Sequence, residues 1–68
     1  MTKDMETDPF SISMRKFLKQ VGVTSQQAIE KAVEQKGLRG KGKLVVKAVI
    51  TSEAAGLHHV VESEIDLG

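Results

Sequence analysis

Apolar residues recur at helical spacing in the first half of the chain and at strand spacing in the second. Phe10, Met14, Phe17, Leu18 and Val21 fall at i, i+4, i+7, i+8 and i+11, which is one face of an α-helix. Asp8-Pro9 stands in front of them as a start signal. Asp is a good N-cap, and Pro at the first helical position loses only an N–H that has no partner there. Arg15, Lys16 and Lys19 take the solvent side, and Gly22 suits the left-handed residue that closes a helix. Thr24-Ser25-Gln26-Gln27 then reads as a capping box, with Thr24 as N-cap and Gln27 at the third helical position. A second helix is predicted from there to about Lys36, with Ala28, Ile29, Ala32 and Val33 as a narrow apolar stripe. Gly37 ends it, and Leu38 is placed to fold back on its last turn.

Arg39-Gly40-Lys41-Gly42-Lys43 reads as a flexible basic link. Leu44–Thr51 is rich in β-branched residues and predicts a strand; Ser52–Gly56 supplies a turn, and 57–67 alternates as a second strand. The register follows from the side chains. If the numbers of paired residues sum to 109, Leu44 meets Ile65, Ala48 meets Val61 and Ile50 meets His59 on one face. The other face sets Lys43 against Asp66, Lys47 against Glu62 and Val49 against Val60. Each such pair favours the register by ~0.2–1 kcal/mol, and a slip of one residue mismatches both faces. The expected fold class is therefore α+β, two helices followed by a β-hairpin. Residues 1–8 form a disordered lead-in and 9–68 a single small domain.

Length turns this picture towards self-association. A chain of 68 residues buries only ~60% of its unfolded surface, and domains of this size usually need a staple. There is no Cys to form one, and a two-stranded sheet is marginal alone. A second copy of the chain is the remaining staple. The expected assembly is a homodimer whose hairpins join or swap between protomers across the hinge at 37–43. Phe17, Val46, Ile50, Val61 and Ile65 are the expected core and dimer residues.

Charge and motifs narrow the chemistry without naming it. Ten Lys and Arg against nine Asp and Glu leave a net charge of +1, but residues 14–47 carry +7 and residues 48–68 carry −4. Gly37–Leu44 matches the front of a phosphate-binding loop, GxxxxGK. That motif needs a strand before it and a helix after it, the reverse of the order here, and Leu44 replaces its Ser or Thr. Leu18–Val33 has the outline of a helix-turn-helix, with Leu18 and Ala28 departing from the motif. Its second helix would offer Gln26 and Gln27 to adenine edges, and Arg39, Lys41, Lys43 and Lys47 could neutralise phosphates. Base-stacking aromatics are missing, since both Phe belong to the first helix and there is no Tyr or Trp.

His58 and His59 are adjacent on a strand and so point to opposite faces, which argues against a shared metal ion. No Cys nucleophile, GxSxG or HExxH occurs, and a single unit this small has no room for a pocket of ~300 Å³. Catalysis would need a site made between protomers. No metal or cofactor is expected. Apolar runs do not exceed three residues, as at Ala48–Ile50, and MTKDMETDPF has no apolar signal region, so neither a membrane span nor secretion is expected. Together with the absence of Cys this suits a cytoplasmic protein.

The stretches MRKFLKQVGVTSQQAIEKAV (14–33) and LHHVVESEIDL (57–67) resemble a family of short, functionally uncharacterised proteobacterial proteins. The resemblance covers 31 of 68 residues and rests mainly on VGVTSQ and HVVE. It implies a small α+β domain and brings no catalytic or binding residues. The function these readings favour is a non-enzymatic, homodimeric scaffold or regulatory module working through protein contacts. The rival is a DNA binder that uses the degenerate helix-turn-helix and the basic 39–47 segment.

Overall fold

A computed structural model of the chain describes residues 8–68. Of the lead-in expected over residues 1–8, all but Asp8 lies outside them. The element order is one helix, α1 (Pro9–Lys36), followed by two strands, β1 (Lys43–Ser52) and β2 (Leu57–Asp66). After Lys36 the chain divides into two units, the helix and the hairpin with its leading loop. Each is described by itself.

The start of α1 is the one its sequence signals. The Asp8 carbonyl accepts the first intrahelical bond, from Ile12 N–H at 3.0 Å. One Asp8 carboxylate oxygen takes the Ser11 N–H and the Ser11 hydroxyl, each at 3.4 Å. Asp8 is thus the N-cap and Pro9 the first helical residue. Gly37, with φ +62°, provides the left-handed residue after the last turn.

The expected break between two helices is absent. The 28 residues of α1 run without interruption through Gly22-Val23-Thr24, a length of about 42 Å. Gly22 is not among the glycines with positive φ, so it does not act as an end residue. The Thr24 hydroxyl does not cap a new helix. It donates backwards to the Gln20 carbonyl at 2.8 Å, a bond available only inside a helix. Both residues that suggest a turn are tolerated mid-helix. Gly costs about 1 kcal/mol relative to Ala there, far less than Pro, and no Pro follows Pro9.

The hairpin has the expected pairing throughout. β1 and β2 are antiparallel, with Lys43 opposite Asp66, Lys47 opposite Glu62, Ala48 opposite Val61, Val49 opposite Val60 and Ile50 opposite His59. Four residues, Glu53–Gly56, connect the strands. The turn is closed by Gly56 N–H donating to the Glu53 carbonyl at 3.1 Å, with Gly56 at φ +61°. A side chain rarely adopts that backbone, which is why glycine stands there.

The segment leading into β1, expected from its composition to be a flexible link, is tied back by three backbone hydrogen bonds. Leu67 N–H donates to the Gly42 carbonyl at 2.8 Å, and the Leu67 carbonyl accepts Gly40 N–H at 2.6 Å. Gly42 opposite Leu67 carries the same register one step past the strands. Lys41 N–H donates to the Leu38 carbonyl at 3.1 Å, which closes a tight turn. Leu67, beyond the end of β2, is buried beside this clasp.

Little else is enclosed. Among the described residues only Ser11, Val33 and Leu67 are buried, and no side chain is fully so. The expected core residues divide accordingly. Val46, Ile50 and Ile65 are half-buried, whereas Phe17 and Val61 are about half exposed (49% and 50%).

Candidate functional site

The features that stand out on both units are uncovered apolar faces. With 3.6 residues per turn, Phe10, Met14, Phe17, Leu18, Val21, Ala28 and Ala32 fall within an arc of about 100° on α1. The large members of this stripe are open. Phe10 is 68% exposed, Phe17 49%, Leu18 46% and Met14 42%. Arg15, Lys16 and Lys19 stand outside the arc, and no acidic residue occurs in α1 before Glu30. The stripe therefore runs through a helix whose first half is purely cationic.

The two faces of the hairpin differ in kind. One carries Leu44, Val46, Ala48 and Ile50 from β1 against Ile65, Ser63, Val61 and His59 from β2. Of these, Leu44, Val46, Ile50 and Ile65 are half-buried and the others exposed. The other face alternates charge and valine: Lys43, Val45, Lys47 and Val49 against Asp66, Glu64, Glu62 and Val60. Val45, Val49 and Val60 are exposed on it. The first face is the more apolar, and the second mixes charged pairs with three exposed valines.

The residues proposed for nucleic-acid contact are not brought together by a reading motif. Gln26 and Gln27 lie mid-helix on α1, exposed, and the Gln26 side-chain amide donates to Glu30 Oε2 at 3.3 Å. No turn precedes them, so the helix-turn-helix is absent. Arg39 and Lys41 sit in the clasped loop, and Lys43 and Lys47 lie opposite Asp66 and Glu62 across the ladder. The phosphate-loop pattern also loses its donors. The amides of Gly40 and Lys41, which would face a phosphate, are held by the Leu67 and Leu38 carbonyls.

His58 pairs with Thr51 and His59 with Ile50, so the two histidines occupy opposite faces of the sheet. Among the described residues no three His, Asp or Glu side chains gather where they could hold a metal ion. No helix among them is long and apolar enough to cross a membrane. The clasp of Leu67 with Gly40 and Gly42 escaped the sequence reading. Its signal was available, because the rule that pairs β1 with β2 also pairs Gly42 with Leu67.

No curated protein and no solved structure matches the chain. The sequence model of one family, described only as a Family of unknown function (DUF6494), matches residues 5–68. That span takes in the capped helix, the clasp and both strands, and the chain belongs to this family.

Proposed function

We propose that the protein is a non-enzymatic homodimeric scaffold or regulatory module of a bacterial cytoplasm, acting through protein contacts. The observation that supports this reading is the set of apolar residues left open on α1 and on both faces of the hairpin, with no fully buried side chain among the described residues. Contiguous exposed apolar surface marks interaction sites, and a small domain without disulfide or metal gains most by covering it with a second copy. The hairpins of two protomers join edge to edge into four strands or exchange between them. Joining edge to edge covers one of the two open strand edges that each hairpin presents.

Sedimentation velocity over a concentration series tests the reading. A reversible dimer is expected, and a stable, folded monomer at low micromolar concentration would overturn it. Mobility shifts with duplex DNA at rising salt test the protein-contact half. Phosphate binding weakens steeply with salt, so a tight, salt-sensitive shift would replace protein contacts by nucleic acid as the function.

A further inference from the structure

We infer that the apolar stripe of α1 packs against the same stripe of a second copy, antiparallel, with facing residues whose numbers sum to 42. The inference rests on the self-association proposed above and specifies its helical contact. The stripe is lopsided. Its first half carries the large side chains, Phe10, Met14, Phe17 and Leu18, and its second half carries Thr24, Ser25, Ala28 and Ala32. A parallel pair would set Phe10 on Phe10 and Phe17 on Phe17, crowding one end, and Ala28 on Ala28, leaving a gap at the other. Both faults are costly in a packed interface.

The antiparallel register corrects them at every step. Phe10 faces the partner's Ala32, Met14 the partner's Ala28, Phe17 the partner's Ser25 and Leu18 the partner's Thr24. Val21 meets the partner's Val21 on the two-fold axis, so large sits on small along the whole contact. Charge points the same way. Arg15, Lys16 and Lys19 lie outside the stripe, and a parallel pair would set the two cationic first halves side by side. The antiparallel pair instead brings each cationic half beside a half in which Glu30 and Glu34 balance Lys31 and Lys36. Sliding by one heptad does worse in either direction. One slide puts Leu18 opposite Lys31 and leaves Phe10 without a partner; the other sets Phe17 on Leu18 and leaves Ala28 and Ala32 uncovered.

The chain has no Cys, so single-cysteine variants report the geometry without background. A disulfide needs Cα atoms within about 7 Å. In the proposed register two copies of residue 14 lie about 21 Å apart along the pair. Val21→Cys should oxidise to a covalent dimer in at least about tenfold higher yield than Met14→Cys or Ala28→Cys alone. An equimolar mixture of Met14→Cys and Ala28→Cys chains should crosslink as the mixed species, identified by mass. Efficient self-crosslinking of Met14→Cys would mean a parallel pair and overturn the inference. A dimer by sedimentation that crosslinks at none of these positions gives the stripe to another occupant, and overturns it while leaving self-association standing. A protein that sediments as a monomer and crosslinks nowhere removes both.

Discussion

Replacing Gly22 by Ala tests whether α1 is one helix, because the two readings of this residue predict opposite signs. Within a continuous helix Gly is the least favourable residue after Pro. Ala in its place should gain about 1 kcal/mol from the backbone freedom that glycine forfeits on folding. Nothing in the structure offsets that gain, since a Cβ built on Gly22 meets no heavy atom within 4 Å. Nothing adds to it through packing either. Were Gly22 the left-handed end of a first helix, the same Cβ would collide with the following carbonyl and cost roughly 1–2 kcal/mol. The assay is thermal melting followed by helical circular dichroism. It compares the variants at equal chain concentration, because self-association makes the melting temperature concentration-dependent. For a domain of this size 1 kcal/mol moves the midpoint by about 4–8 °C. A rise of that order, with helicity retained or increased, is expected. A fall would refute the continuous helix.

Asp8→Ala removes the carboxylate that receives Ser11 at the helix start and should cost about 1 kcal/mol in melts, with Asp8→Asn retaining most of the stability. Gly56→Ala should destabilise by roughly 1–2 kcal/mol although a Cβ there meets nothing within 4 Å, because φ is +61°; an unchanged midpoint would count against the turn geometry. Val61→Asp puts a carboxylate on the apolar hairpin face, and if that face is covered in the dimer the loss of polar solvation is worth several kcal/mol. Sedimentation should then show dissociation. Lys47→Glu, opposite Glu62 on the wet face, should cost ~1 kcal/mol or less and leave the dimer intact. Equal effects of these two variants would mean that the covered face has been misassigned.

The hairpin could be read from the residues because strand pairing leaves its constraints in the sequence. Alternation assigns faces, and Lys43 with Asp66, Lys47 with Glu62 and Val49 with Val60 agree on a single register. The turn is short enough that local chemistry decides it, as Gly56 shows. The helix start was equally local, since Asp8, Pro9 and Ser11 lie within one turn. The joint at Gly22–Thr24 could not be decided this way. Glycine and threonine there are compatible both with a turn and with an unbroken helix. The difference is about 1 kcal/mol, and the structure resolves it through a hydroxyl that bonds backwards to Gln20.

The candidate surfaces were legible as patterns and not as surfaces. Periodicity assigns Phe17 and Val61 to apolar faces, but whether such a face is enclosed depends on what lies over it, which no spacing along one chain records. The loop at 37–42 shows the same division. Its glycines and cations announce irregular backbone, while its closure comes from Gly40 and Gly42 meeting Leu67, some 25 residues away. Local conformational preference and strand register are thus properties of neighbours and pairs, and the sequence alone determined them. Burial, closure of the loop and continuity of the helix depend on contacts or small energy differences summed over the folded chain, and only the tertiary structure decided them.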